Sequence, residues 1–222
     1  MLFDGSIPAT EPVTMGHEGV GYVEEMGTNV TGFKKGDRIG FLYIKGLKPG
    51  QWMAIVGCGG LGQMGIRFAK AMGLKVVGID INDEVLAEAK ENGADVTVNS
   101  KQPDFDEHVK NVTRDGADAA VVFSAAQAAY DSATKILRIG GILMVIGLPA
   151  KPLQFSALDL MRKLYQIRSE STGPPQQMPR AMEFISKHEI KPKVELYKLD
   201  QIHEMMDLMK SGKSKTRMAV VF

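Results

Sequence analysis

A glycine-rich hexapeptide, Gly57-Cys58-Gly59-Gly60-Leu61-Gly62, stands between an apolar run and an amphipathic one, and this junction restricts the fold more than any other feature of the chain. Residues 52–56 lead into it as an unbroken apolar strand. Leu61, Met64, Ile66, Phe68 and Met72 follow at roughly helical spacing. A strand that turns into a helix through G-x-G-x-x-G asks something different of each glycine. The first permits a tight turn, the second lets backbone approach a pyrophosphate, and the third lets the helix pack close to the strand. The helix N-terminus then offers its free N–H groups to an anion. Residues 75–79 form the next strand and lead to Asp80, eighteen positions after Gly62. A carboxylate there suits the hydroxyls of an adenosine ribose and repels the extra phosphate of NADP. Gly57, Gly59, Gly60, Leu61, Gly62 and Asp80 are therefore candidate ligands of NAD. The competing reading is a glycine turn kept only for packing.

The alternation continues along the chain. Val85, Leu86 and Ala89 mark a helix that Asp83 is placed to cap. A strand at 95–98, a helix carrying Phe105, Val109 and Val112, a strand at 119–123, a helix at 125–137 and a strand at 142–146 come next. Residues 165–169 predict one more strand and 180–187 a helix. Strands and helices in turn, with short connections, predict an α/β fold built on a doubly wound parallel sheet of Rossmann type. Continuous apolar strands fit a sheet covered on both faces. The two ends differ from this pattern. Residues 1–43, rich in Gly and Val with turn signals at 27–29 and 36–37, read as short antiparallel strands. The tail after Pro192 predicts a strand at 194–199, a helix at 202–209 and a strand at 218–222. Gly and Pro within 45–50 mark the clearest boundary, and the expected domains are 1–43, 44–187 and 188–222.

Composition removes several classes of function. The net charge is +1, with 27 basic against 26 acidic residues and no block of like charge, so neither a nucleic-acid nor an anionic-membrane surface is expected. Cys58 is the one cysteine, which rules out an intrachain disulfide and a four-cysteine zinc site. The opening residues 1–5 lack a basic stretch followed by an apolar one, and the apolar runs at 119–123 and 140–148 are too short to span a bilayer. A soluble cytoplasmic chain acting on a small molecule is the expectation.

Three further segments carry a resemblance. Gly16-His17-Glu18-Gly19-Val20-Gly21, the stretch VTGFKKGDRIG at 30–40, and Leu47-Lys48-Pro49-Gly50-Gln51-Trp52 before the glycine loop resemble the zinc-dependent alcohol dehydrogenases of the medium-chain dehydrogenase/reductase superfamily. Ala69-Lys70-Ala71-Met72-Gly73-Leu74 and Gly147-Leu148-Pro149-Ala150 fit as well. The resemblance implies a nicotinamide-cofactor domain set in a reduced GroES-like β domain, with the tail returning to the latter. Ser124, Gly147, Leu148 and Pro149 join the expected cofactor ligands. The resemblance also implies a catalytic zinc held by an early cysteine, the histidine of the GHE motif and a later cysteine. Here only His17 stands at such a position, with Glu18 beside it, and the chain passes from Asp37-Arg38-Ile39-Gly40 to Leu47-Lys48-Pro49-Gly50 without the segment that carries the structural-zinc lobe. A catalytic zinc wants three protein ligands and an open position. The other histidines (His108, His188 and His203) fall in different elements, so no metal site is expected. The arginine that the family supplies to the pyrophosphate after the last cofactor-domain strand is matched by Ser171-Thr172-Gly173-Pro174-Pro175, which carries no charge. Arg180, five residues on, is the candidate substitute.

Without a Lewis acid, reduction of a plain ketone loses the group that stabilises its developing charge. Two routes remain. One is a zinc-independent NAD(H) oxidoreductase acting on a small carbonyl or activated alkene, with Tyr22, Tyr43, Ser124 and His17 as hydrogen-bond donors. The other is a chain repurposed as an isomerase, lyase or cyclase, with His17 and Glu18 as general acid and base, or as an inactive binding homologue. A homo-oligomer is expected, because the missing lobe uncovers apolar surface and the strand at 165–169 is placed to pair with a second copy.

Overall fold

The computed structural model describes residues 21–22, 38–39, 47–149, 151–169, 178–211 and 216–221. Two short strands come first, β1 (Gly21–Tyr22) and β2 (Arg38–Ile39), paired antiparallel. The alternating region follows as β3 (Trp52–Val56), α1 (Gly60–Ala71), β4 (Lys75–Asp80), α2 (Asp83–Glu91), β5 (Val96–Asn99), α3 (Phe105–Thr113), β6 (Ala117–Val122), α4 (Gln127–Ile136), β7 (Leu137–Val145), α5 (Ala157–Met161) and β8 (Tyr165–Ser169). Beyond it lie α6 (Met178–Lys187), β9 (Val194–Lys198), α7 (Ile202–Lys210) and β10 (Arg217–Val221).

Six of these strands form one parallel sheet in the order β5-β4-β3-β6-β7-β8. The chain leaves β3 toward one edge and crosses back to β6 toward the other. β3 and β6 are therefore neighbours at the point where the winding reverses. Alternation along each strand explains why the apolar runs are unbroken. Met53 and Ile55 pack with Ile66 and Ala69 of α1 and with Val85 and Leu86 of α2 on one face. Ala54 and Val56 pack with Val109 of α3 and with Tyr130, Ala133 and Ile136 of α4 on the other. Successive side chains point to opposite faces, and both faces are roofed by helices. Burying one such aliphatic side chain contributes about 1.5–3 kcal/mol.

Local chemistry sets the element ends. Asn82, rather than the expected Asp83, caps α2: its Oδ1 accepts from Glu84 N at 2.9 Å and from Val85 N at 3.4 Å. Asp83 starts the helix instead, where its charge complements the positive helix end, and its Oδ1 accepts from Asn99 Nδ2 at 2.7 Å. β7 begins at Leu137, earlier than expected, because the chain runs from α4 into pairing without a loop. A register shift between Ala117 and Ala119 absorbs the turn at Gly140 (φ +73°).

The chain divides into two compact units, Met1–Tyr43 with Thr172–Lys187 and Ile44–Ser171 with His188–Phe222. Divisions fall at 43/44 and 187/188, with a further one at 171/172, so that α6 groups with the first unit and the tail with the second. Polar contacts account for the tail's place. Arg67 of α1 donates to the Lys191 carbonyl at 2.9 Å and Lys193 lies 3.9 Å from Glu88 of α2. Within the tail β9 and β10 pair in parallel.

At the amino end of the sheet, Asp118 of β6 ties three segments together. Its carboxylate accepts from Trp52 N at 2.9 Å, Gln51 Nε2 at 2.8 Å and Arg138 Nε at 2.8 Å. Burial pushes its pKa up, but the hydrogen bond and charge of Arg138 and the Trp52 N–H outweigh that and hold it below the ordinary carboxylate value. A group with a depressed folded pKa stabilises the fold above its unfolded pKa, near 4, and loses that contribution as pH falls through the folded value. Asp118→Asn is expected to destabilise the chain by about 2 kcal/mol at pH 7. The gap to wild type should shrink as the pH is lowered below about 4, which denaturant titrations at pH 7 and pH 3 will measure.

Candidate functional site

The glycine loop leaves the carboxyl end of β3, and the strand tips beside it are stitched into one edge. Gly57 N donates to the Ile79 carbonyl at 2.8 Å, Phe123 N to the Val56 carbonyl at 2.8 Å and Gly147 N to the Val122 carbonyl at 2.9 Å. Asp80, the glycine loop, Ser124 and Gly147 therefore line up across β4, β3, β6 and β7, at the winding reversal. Sequence-expected cofactor ligands from four separate segments are thus brought to one edge.

The loop conformation follows from its glycines. Gly57 has φ +88°, a value that L side chains rarely adopt. At Gly62 a Cβ would stand 2.0 Å from the Gly57 carbonyl oxygen, so any side chain there would push α1 off the strand it leaves. Gly59 precedes the helix in extended conformation and no side chain caps α1. The first turn, Gly60-Leu61-Gly62, is consequently a set of backbone donors at a positive helix end, with no side-chain acceptor on them among the described residues.

Asp80 faces this turn. Its Oδ2 accepts from Cys58 N at 2.8 Å, and its Oδ1 accepts from Ile81 N at 2.7 Å and Asn82 N at 3.1 Å. A carboxylate has about four acceptor positions, so capacity remains on Oδ2 for a further donor. Ser124 Oγ accepts from Ala126 N at 3.3 Å. The Gly147 carbonyl accepts from the hydroxyl of Tyr130, which is wholly buried. Leu148 beyond it is exposed and Pro149 half-buried.

One functional candidate was not foreseen. Arg217, at the start of β10, lies on the glycine loop: a Cβ on Gly60 would meet its Cδ at 3.0 Å and its N at 3.3 Å, and the Thr216 carbonyl carbon at 3.2 Å. Burial lowers its pKa from the ordinary arginine value, though a guanidinium remains charged throughout the range in which proteins fold. The only trace of this in the sequence is a basic residue opening the last apolar run. Arg180, the substitute suggested by sequence, lies on α6 in the other unit. His17, Glu18, Tyr43 and residues 171–175 lie outside the described residues, and of Tyr22 only the backbone is described.

The described residues do not fit a zinc ion. Cys58 is buried beneath the loop, with its Sγ directed at the Ile55 carbonyl (3.4 Å) and the Ile79 carbonyl (3.5 Å). Burial, and then the charge of Asp80, push its thiol well above the usual range, whereas metals bind the thiolate. Among the described residues no three His, Cys, Asp or Glu side chains gather as a metal-binding set. Among them also no helix is long and apolar enough to cross a membrane.

Residues 60–187 match the family described as zinc-binding dehydrogenase, and residues 1–74 match the alcohol dehydrogenase GroES-like domain. An alcohol dehydrogenase of Geobacillus stearothermophilus is 29% identical over 280 residues, covering 94% of this chain and 83% of the relative. Among solved structures, a quinone oxidoreductase of Pseudomonas syringae superposes with a TM-score of 0.77 at 18% identity, covering 98% of this chain and 85% of the other. An acetophenone reductase of Geotrichum candidum, solved in complex with NAD, superposes at 0.67 and 24% identity, covering 79% of this chain and 50% of the other. These likenesses establish the shared fold.

The setting of Cys58 has a direct readout. Native protein at pH 8 is expected to react with a soluble aromatic disulfide reagent far more slowly than a free thiol does, and to release one equivalent of thiol product on unfolding in guanidinium. Rapid stoichiometric reaction of the native chain would contradict the buried placement.

Proposed function

The chain belongs to the zinc-binding dehydrogenase family, and from that premise we propose that it is an NAD(H)-linked oxidoreductase that works without zinc on a small carbonyl or activated alkene. The observation that carries the reading is the juxtaposition of Asp80 with the glycine loop, joined by the 2.8 Å bond from Cys58 N. A dinucleotide needs both halves of that pair: backbone donors for its pyrophosphate and an acceptor for its adenosine ribose. Gly60, Leu61 and Gly62 supply the donors. Asp80 accepts from the ribose hydroxyls with the capacity left on Oδ2. Arg217 offers positive charge beside the first helical turn. The relative solved with NAD supports the same choice of cofactor.

Bound nicotinamide supplies the hydride acceptor or donor. The chain's own residues then orient it and manage charge and protons. Ser124 and Gly147, at the tips of β6 and β7, extend the binding edge away from the adenosine end, and exposed Leu148 with Pro149 forms an apolar flank there. His17 and Glu18 are the proposed proton-exchanging pair, as general acid and base. With the described residues unsuited to zinc, hydrogen-bond donors take the part of a Lewis acid at the substrate oxygen, which favours substrates already activated toward hydride. That requirement fits the chemistry named for the similar quinone oxidoreductase.

The reading includes a second copy of the chain. Among the described residues β8 is an edge strand whose residues 166–169 are exposed, and Ile139, Leu158 and Met161 are exposed large apolar side chains of the same unit. An unpaired strand edge is a template for pairing with its own copy.

Calorimetry with NADH and NADPH tests the cofactor assignment. The Asp80 carboxylate beside a 2′-phosphate costs on the order of 1–4 kcal/mol, so NADH is expected to bind roughly one to three decades more tightly. Asp80→Ser should narrow that gap. Equal affinities in the wild type would remove the role given to Asp80, and binding of neither at millimolar concentration would remove the oxidoreductase reading. Elemental analysis and light scattering of the same sample are expected to show well under one zinc per chain and a mass above that of one chain; stoichiometric zinc or a monomer would overturn those parts.

A further inference from the structure

The tail reaches the glycine loop, and one carboxylate fastens it there. Thr216 is buried, and its Oγ1 donates to Glu195 Oε1 at 2.7 Å. Glu195 Oε2 also accepts from Tyr197 OH at 3.2 Å. Glu195 sits on β9, paired with β10 in a register that sets Arg217 against Val194 and Met218 against Glu195. The backbone bond nearest the loop, from Arg217 N to the Lys193 carbonyl, is long at 3.3 Å. That bond lies just beyond the usual range for an N–H to carbonyl hydrogen bond. The Thr216 hydroxyl, bonded to a charged acceptor, is a stronger tether. Thr216 and Arg217 are also the residues that rest on Gly60, at the first position of α1.

We propose that Glu195 is a positioning residue for dinucleotide binding: through Thr216 it fixes the Arg217 guanidinium stem against Gly60, beside the backbone donors that face a pyrophosphate. This rests on the NAD(H) reading above. It also has a sign opposite to that of simple electrostatics. Glu195 is an anion on the strand paired with the one that rests on an anion-binding turn. If its charge were what mattered, its removal would tighten binding of a phosphate ligand; if its tether matters, removal loosens binding.

The test is a fluorescence titration of the full chain with NADH, with ADP-ribose and adenosine measured by displacement. Wild type, Glu195→Ala, Glu195→Gln and Thr216→Val are compared. Glu195→Ala and Thr216→Val are expected to weaken NADH and ADP-ribose roughly tenfold, the size of one lost charge-assisted hydrogen bond. Both should leave adenosine, which lacks the pyrophosphate, unchanged. Glu195→Gln keeps an acceptor oxygen for the Thr216 hydroxyl and should stay within about twofold of wild type, a difference far below that of one hydrogen bond. Equal losses for adenosine would show a general defect of folding and overturn the positioning role. Unchanged or tighter NADH binding in Glu195→Ala would overturn it as well, with wild-type NADH binding left standing as support for the proposed function. A wild type that binds neither NADH nor ADP-ribose would remove the proposed function and this inference together.

Discussion

The contact between residue 62 and the carbonyl of Gly57 sets the rest of the site. With no Cβ at Gly62, the first turn of α1 settles onto the end of β3, where any side chain would meet that oxygen at 2.0 Å. The approach fixes the angle at which the helix leaves the strand. It also aims the helix's unpaired donors across the carboxyl edge and brings the Cys58 N–H to the Asp80 carboxylate. Each of these follows from backbone geometry. Changes elsewhere in the edge alter what the site prefers, whereas a change at Gly62 alters whether the edge has its shape.

A sheet of parallel strands needs fixing at both ends, and the two ends are fixed by different chemistry. At the carboxyl edge, backbone bonds run from tip to tip, from Gly57 to Ile79, Phe123 to Val56 and Gly147 to Val122. At the amino edge, the Asp118 carboxylate gathers Gln51, Trp52 and Arg138. The division has a functional sense. The residues joined by these backbone bonds carry no side-chain charge of their own, and Asp80 stands beside them. The strong ion pair of Arg138 with Asp118 sits at the opposite end of β6, where it cannot compete for a ligand.

The sheet was legible in the sequence because parallel strands roofed on both faces must be apolar at every position, and such runs stand out against the helices between them. β8 was placed to the residue, and the residues that gather at the carboxyl edge could be listed from strand ends and resemblance. What escaped depended on long-range packing. Asn82 took the cap expected of Asp83 because one residue of extra extension after β4 decides which side chain meets the helix donors, and both residue types suit either place. The earlier start of β7 depends on a register shift opposite Ala117, which no local pattern encodes. Arg217 was missed for the same kind of reason. Its importance comes from the Gly60 surface it rests on, more than 150 residues away in sequence, while Arg180, nearer to the expected place, lies in the other unit.

That separation has a temporal meaning. A chain emerges from the ribosome from its N-terminus, and units fold as they emerge. Residues 52–169 contain every strand of the six-stranded sheet, so its strands emerge before Glu195, Thr216 and Arg217 do. The glycine loop thus spends part of each molecule's early life lacking the strand that later rests on Gly60. Closing so distant a contact is slow compared with forming neighbouring ones. On the NAD(H) reading proposed above, binding competence is then a late event in the biogenesis of this chain, reached after the strands of the sheet have emerged.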